Sequence, residues 1–392
     1  MKRIAITGIG AVSSAGENVS HFFEALTKPP ELTFKKSSRI DLDIEIIVGE
    51  ASDNCFTEPS SSLFDNPTSR LALTAATESV LDYQKQTGDQ TPNALIVGTS
   101  TGGQKVCEDF LFSRLEGRSD NFINYRAQGI MASTARMIAS ELKIEGRVNT
   151  VSTACTSSAN AIAMGCSLIE TGRAKSVLAG GGDALCATTM SGFNILGLTG
   201  INPCTPFAPN RPGMSLGDGA AFLMLESLDQ VLDEKRPYYG EVLGYGFSSD
   251  AYSMTSPSEN GEGAIVAMKS ALKMANLKPE DVSFVNAHGT GTLYNDRSEA
   301  LAIQSLFPNT PTASLKGLTG HTLGGAGALE AIASLYVLQK KRIWENFNSP
   351  ICGDDCPINL VPKGGIMLND SPIVISNSFA FGGNNCSLIF GL

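Results

Sequence analysis

The sequence predicts an α/β fold with buried, mostly parallel sheets. Short apolar runs rich in Val and Ile alternate with stretches of helical period along the whole chain, and most of those runs end in a Gly-rich loop. The 392 residues include 40 glycines, enough to place a tight turn at many strand–helix junctions. At 42% hydrophobic and 17% charged, the chain can fill two large lobes or a duplicated domain.

Taken in order, residues 3–8 read as a first strand entering a loop that runs from Gly8 to Gly16. Ser13 stands where a dinucleotide-binding fingerprint needs its third glycine, so the loop is a structural turn. A short helix is expected at 18–27, and 28–66 is irregular apart from a strand at 44–48. Residues 67–83 carry an amphipathic helix. A buried strand at 94–98 runs into Thr99-Ser100-Thr101-Gly102-Gly103. A helix at 128–142, a strand at 148–152 and a helix at 155–171 form the next unit. A strand at 175–179 leads to Gly180-Gly181-Gly182-Asp183, and another, apolar on both faces, spans 220–226 after a Pro- and Gly-rich loop at 202–217. The theme then repeats: strands at 241–248, 282–286 and 312–314, helices at 261–276, 296–306 and 327–339, and a closing hairpin at 373–378 and 386–390. The repetition suggests an internal duplication.

The net charge of −10 argues against a nucleic-acid binder. Nine cysteines, an odd count without framework spacing, read as reduced thiols of an intracellular protein. Cys352 and Cys356 bracket Gly353-Asp354-Asp355 with no histidine or second pair nearby, so no metal site is expected. The first 16 residues lack the apolar core of a signal peptide, and no stretch approaches the roughly 18 apolar residues of a membrane span. The expectation is a soluble, cytoplasmic protein with no membrane insertion.

Cys155 lies in Val151-Ser152-Thr153-Ala154-Cys155-Thr156-Ser157-Ser158-Ala159-Asn160. There a β-branched stretch breaks into small residues, and Ala159, Ile162, Ala163 and Ile169 recur at helical spacing. That pattern puts the thiol at the first turn of a helix, where unpaired N–H groups and the helix dipole favour thiolate. Of three histidines, His288 and His321 lie far downstream in Gly/Thr-rich loops, which makes a candidate covalent acyl-transfer site. From Leu315 to Gly327 a lysine, a histidine and five glycines share 13 residues ahead of a helix bearing Glu330. Lysine beside histidine favours a neutral imidazole, and Glu330 is placed to hold the lysine. Segment by segment, blander readings stand beside these: an inert buried cysteine, a satisfied structural histidine, a solvated helix charge, and a plain hairpin at 378–385. Asp296 and Glu299, three apart on one helical face, read as capping or salt-bridge residues.

Together the segments resemble the elongating β-ketoacyl–acyl carrier protein synthases (types I and II) of the thiolase superfamily. The resemblance rests on Thr153-Ala154-Cys155-Thr156-Ser157, His288-Gly289-Thr290-Gly291-Thr292, Lys316 through Gly327, and Asn377-Ser378-Phe379-Ala380-Phe381-Gly382-Gly383, in the family's order. The stretch Gly246-Phe247-Ser248-Ser249-Asp250-Ala251-Tyr252-Ser253-Met254-Thr255-Ser256-Pro257 is similar to type II members above all. The match covers essentially the whole chain. It implies a thiolase-like fold of duplicated α/β halves in a layered αβαβα arrangement, with Cys155 in 1–240 and the histidine pair and gate loop in 241–392. It implies a decarboxylative Claisen condensation in fatty acid biosynthesis. Cys155 takes an acyl group from acyl carrier protein, with the N–H groups of Cys155 and Phe381 as oxyanion hole. His288 and His321 then stabilise the enolate formed from malonyl carrier protein, whose attack lengthens the chain by two carbons. Lys316 and Glu330 would order the histidines, and Thr290 and Thr292 would hold the phosphopantetheine arm. Phe381 would act as a gate, with Phe379 among the substrate-binding residues. No metal or tightly bound cofactor is implied. The partners are acyl carrier protein and a second copy of the chain, or a chain-length factor.

Three positions depart from the family pattern. The gate loop carries Ala380 and Asn384 in place of Gly and Thr. Thr101 stands where type II members are usually apolar, which suggests a hydroxyl facing the acyl chain. The family's basic docking patch is thin: helix 67–83 offers Arg70, and Arg118-Ser119-Asp120 is diluted by acid, which leaves Lys28, Lys35, Lys36 and Arg39 as candidates. These departures point to an alternative, a specialised ketosynthase of an aryl-polyene or polyketide-like pathway.

Overall fold

The computed structural model describes residues 3–31, 33–61, 66–118, 125 and 127–392. One large mixed sheet runs through it. Its strands are β1 (Ile4–Ser13), β2 (Ala94–Gly98), β3 (Arg147–Val151), β4 (Ser176–Asp183), β5 (Gly219–Ser227), β6 (Gly240–Ser249), β7 (Phe284–Ala287), β8 (Pro311–Ser314), β9 (Asn359–Leu360), β10 (Val374–Phe379) and β11 (Asn384–Gly391). Across the sheet the order is β9-β8-β7-β10-β11-β6-β1-β5-β4-β2-β3.

That order contains the same permutation twice. Numbering the strands within each half and leaving out the two-residue edge strand β9, β3-β2-β4-β5-β1 and β8-β7-β10-β11-β6 both read third, second, fourth, fifth, first. Directions match as well. In each half the outer three strands run parallel, while the two nearest the centre run antiparallel. The sheets are therefore more mixed than the alternating strand–helix pattern predicts. The difference lies in β5 and β11, each of which follows its neighbour without a crossover helix of βαβ type. The halves join where Ile4 to Ile6 of β1 pair with Val242 to Gly240 of β6.

Eight helices define the layers: α1 (Pro67–Thr87), α2 (Gln104–Leu115), α3 (Ser133–Glu141), α4 (Ser157–Glu170), α5 (Ala187–Ile195), α6 (Glu262–Ala275), α7 (Leu293–Leu306) and α8 (Ala326–Lys340). α1 and α3 cover the outer face of the first half, and α6 covers the second with α7 beside it. α4 and α8 pack on each other between the halves. Every side chain of α8 from Ala326 to Leu338 is buried. This is why its sequence is Ala- and Leu-rich with no polar face.

Strands β1, β2 and β4 are buried along their whole length, as their apolar runs require. Gly98 ends β2 because nothing larger fits: a Cβ there would lie 2.3 Å from the Ser157 carbonyl carbon at the start of α4. Three sequence expectations change. Only Val48–Gly49 of the strand at 44–48 forms. The helix expected at 128–142 starts at Ser133, after bends at Gly129 and Ile130. Helices α2 and α5 were not predicted. α2 buries Glu108 and Ser113 and α5 buries Met190, so neither displays the apolar stripe that periodicity detects.

Candidate active site

Equivalent loops of the two halves build the site at the carboxyl ends of parallel strands, where α/β folds leave a crevice. In the first half β2 delivers Thr99 to Gly102, β3 delivers Cys155, and β4 ends at Asp183. In the second half β7 delivers His288, β8 delivers Lys316 and His321, and β10 delivers Phe379 and Phe381. Cys155 does not stand on the helix, as its sequence segment predicts. α4 begins at Ser157, and the chain turns sharply at Ala154, which has φ +51°. A non-glycine residue in the left-handed region carries strain that its surroundings must hold. Here Ser157 Oγ donates to Ala154 O at 2.6 Å and accepts from Thr153 N at 2.9 Å.

Cys155 Sγ and one ring nitrogen each of His288 and His321 lie within 4.8 Å of one another, and all three residues are buried. His321 Nε2 is 3.0 Å from Cys155 Sγ. The two imidazoles meet edge to face with centroids 5.2 Å apart. Lys316 is buried behind them: its Nζ donates to His288 O at 2.6 Å, lies 3.2 Å from His288 Nδ1, and pairs with Glu330. A lysine ammonium only donates, so Nδ1 of His288 accepts and its ring proton sits on Nε2. The neighbouring Ser378 hydroxyl lies 3.5 Å from Glu330 Oε2.

Burial dominates the electrostatics. Both imidazoles are held well below the usual histidine range by desolvation and by the Lys316 charge, so they are neutral near pH 7. Desolvation pushes the Cys155 thiol up to about 12, against the pull of Lys316 and of the N–H groups of Cys155 and Phe381 aimed at it. The resting state is thus a thiol beside neutral imidazoles, where the sequence pointed to thiolate. A helix end lowers a thiol pKa less than full burial raises it at this position. Glu330 is pushed up to about 6 by burial, with Lys316 opposing.

The cavity above Cys155 is lined by His288, His321, Thr290, Thr292, Phe379 and Phe381 among others. The Thr290 and Thr292 hydroxyls lie 2.8 Å apart. Asp296 and Glu299 hold this loop: Glu299 accepts the N–H groups of His288 and Gly289 at 2.8 and 2.7 Å, and Asp296 accepts that of Gly291 at 3.1 Å. The gate loop is pinned by Asp250 N donating to Gly383 O and Gly382 N donating to Met254 O, both at 2.9 Å. Ala380 keeps an ordinary φ, so its Cβ is accommodated in this conformation. Phe193 of α5 packs against Phe381 with centroids 5.6 Å apart. The sequence reading missed Phe193, Met214 and Tyr294 in this lining, because each sits in a segment without apolar periodicity.

Thr101 is not part of the lining. Its hydroxyl donates to Asp183 Oδ1 at 2.6 Å, a satisfied buried bond that does not face an acyl chain. Of the docking candidates, Lys35 pairs with Glu50, Arg39 with Asp218 and Glu50, Arg70 with Glu58, and Arg118 with Glu116, while Lys28 and Lys36 are exposed. Ser119 and Asp120 lie outside the described residues.

The fold and the site define a thiolase-like enzyme that transfers acyl groups through a cysteine. Residues 1–231 match the beta-ketoacyl synthase N-terminal domain and residues 239–349 its C-terminal domain, so the chain belongs to the beta-ketoacyl synthase family. It is 30% identical to a 3-oxoacyl-[acyl-carrier-protein] synthase 2 of Synechocystis sp., over 99% of this chain and 98% of that protein. It is 29% identical to the protein of the same name from Staphylococcus aureus strain N315, with the same coverage. Among solved structures, the ishigamide ketosynthase/chain length factor superposes with TM-score 0.93 at 30% identity, covering 100% of this chain and 99% of that one. A ketosynthase in complex with its chain length factor from Xenorhabdus doucetiae gives TM-score 0.85 at 32% identity, covering 100% and 98%.

Proposed function

We propose that the chain is a 3-oxoacyl-[acyl-carrier-protein] synthase that condenses malonyl carrier protein with an acyl group held on Cys155. The observation that carries the reading is the juxtaposition of Cys155 Sγ, 3.0 Å from His321 Nε2, with N–H groups of Cys155 and Phe381 aimed at it. In acylation the thiol proton leaves towards His321 as Sγ attacks the thioester carbonyl, and the two N–H groups meet the oxyanion. The carbon–sulfur bond of the thioester breaks, and the carrier sulfur takes the proton back from His321 and departs as the thiol. In condensation His288, with its proton on Nε2, donates to the malonyl thioester carbonyl. His321 joins it once Sγ is acylated and its single ring proton, which no partner holds on Nδ1, has moved to Nε2. Loss of CO₂ leaves an enolate that these two donors stabilise; its carbon attacks the acyl-Cys155 carbonyl, the acyl–Sγ bond breaks, and Sγ takes up a proton to return to the thiol. Neutral imidazoles suit this, since a donor is needed and a buried cation is not. Thr290, Thr292 and Phe379 line the path of the phosphopantetheine arm. We assign no metal and no tightly bound cofactor to the reaction, and place the protein in the cytoplasm.

A second subunit is part of the proposal. Strand β3 is a sheet edge whose far side pairs with nothing among the described residues, and such an edge is a template for a further strand. The named relatives support chain extension in fatty acid synthesis, and the likeness to two ketosynthase–chain length factor assemblies supports a second reading, a heterodimer in a specialised, polyketide-like pathway. The test is an acyl-chain screen with malonyl carrier protein, product analysis and light scattering, with and without a co-expressed factor. Two-carbon extension supports the reading, and its absence with every primer in both preparations contradicts it.

A further inference from the structure

Asp183, which no step above uses, ends β4 and is fully buried. Its carboxylate is saturated with donors from two loops. Oδ1 accepts the Thr99 hydroxyl at 2.6 Å, the Thr101 hydroxyl at 2.6 Å and the Thr101 N–H at 2.9 Å. Oδ2 accepts the Ser100 N–H at 2.8 Å and the Gly324 N–H at 2.7 Å. The first loop follows β2 and backs the start of α4, where Ser157 Oγ lies 3.5 Å from Thr99 O. The second carries His321.

His321 depends on that second loop. Its Nδ1 is buried without a hydrogen-bond partner among the described residues, so the ring's one side-chain hydrogen-bond contact there is Cys155 Sγ, the atom it must meet. The rest of its placement comes from backbone anchors. Upstream, His321 N donates to Ser215 O at 2.7 Å and Gly217 N donates to His321 O at 3.0 Å. Downstream the chain turns through Leu323 at φ +50°, and the next anchor is the Gly324 N–H on Asp183. Gly324 is glycine because a Cβ there would sit 2.6 Å from Asp183 Oδ2 and from Ser100 N.

We propose that Asp183 is a positioning residue of the condensation site, clamping the His321 loop to the loop after β2 and so fixing His321 on Cys155. The proposal rests on the reading of Cys155 and His321 as condensation machinery. A carboxylate suits the task because both of its oxygens accept. An asparagine keeps the shape but turns one oxygen into a donor facing N–H groups, which releases one loop.

The test uses the full chain with Asp183→Asn, Gly324→Ala and the pair together, each checked for folding by circular dichroism. Misplacing a reacting group by about 1 Å costs on the order of 10²-fold. Each single variant should therefore lose about that much kcat in malonyl carrier protein decarboxylation, with KM unchanged because Thr290 and Thr292 are untouched. The double variant should be no worse than the poorer single one, since both break one clamp. The rate–pH curve for Cys155 alkylation by iodoacetamide should also move to lower pH in Asp183→Asn, because the Asp183 charge opposes thiolate. Folded variants with wild-type kcat, a rise in KM alone, or multiplicative losses would overturn the proposal. If Asp183→Asn does not fold, Gly324→Ala decides alone. A wild-type chain without decarboxylation but with the alkylation shift would fault the reaction assignment and leave the clamp standing.

Discussion

Replacing Lys316 with methionine removes a buried charge while nearly keeping the side-chain volume. Lys316 touches no substrate in the proposed reaction, yet it holds His288 by its carbonyl and Nδ1 and neutralises Glu330. Stranding a buried carboxylate outright costs about 3–5 kcal/mol. Glu330 has a cheaper route, because burial already pushes it up to about 6. Protonating it at pH 7 costs about 1.4 kcal/mol, one pKa unit. Leaving the His288 carbonyl short of a donor adds about 1–3 kcal/mol. The expected loss of stability is therefore about 2.5–4.5 kcal/mol by denaturant unfolding at pH 7. At pH 7 the double variant Lys316→Met/Glu330→Gln should be more stable than Lys316→Met by up to about 1.4 kcal/mol, because glutamine needs no proton to be neutral. Decarboxylation should fall about 10²–10³-fold, the scale of one lost oxyanion donor, while Cys155 acylation falls much less. Equal losses in the two half-reactions would refute the argument. So would a double variant more stable than the single one by about 3–5 kcal/mol, since Glu330 would then have stayed charged.

Two further outcomes follow from the same geometry. Because His288 and His321 titrate below the unfolded histidine value, the folded chain binds fewer protons in acid. The stability they allow is present above about pH 6.5 and is lost as the pH falls below it, so His288→Gln should flatten the stability–pH curve between pH 6.5 and 5. Denaturant midpoints for both proteins across that window check the sign, and parallel curves would contradict it. Thr101→Val should cost about 1.5–3 kcal/mol by removing a hydrogen bond to a carboxylate. It should leave the choice between saturated and unsaturated primers of equal length unchanged in competition assays, because the side chain faces Asp183. A shift in that choice would return Thr101 to the pocket.

The sequence showed most of the parts and little of their arrangement. Apolar runs located β2 over its whole length and β7 to within two residues, because strands buried on both faces leave no other composition, whereas β4 runs four residues past its expected end, through glycines that carry no apolar signal. The loops bearing Cys155, His288 and His321 were legible from residue type and order. Their meeting was not, since it depends on the duplicated strand order that brings equivalent loops together. Helices α2 and α5 gave no signal because their buried residues are few or polar. Thr101 misled the reading in a different way. A polar residue at a position expected to be apolar pointed to the substrate, when the hydroxyl answers to Asp183, a partner 82 residues away.

The most direct test of the account is intact-protein and peptide mass spectrometry after incubation with acyl carrier protein loaded with candidate primers, followed by malonyl carrier protein. The account predicts an acyl adduct on Cys155 that is absent in Cys155→Ala. It also predicts discharge of that adduct as a 3-oxoacyl product two carbons longer when malonyl carrier protein is added. An adduct on Cys107 or Cys166 in place of Cys155, or a Cys155 adduct that malonyl carrier protein does not discharge, would contradict it.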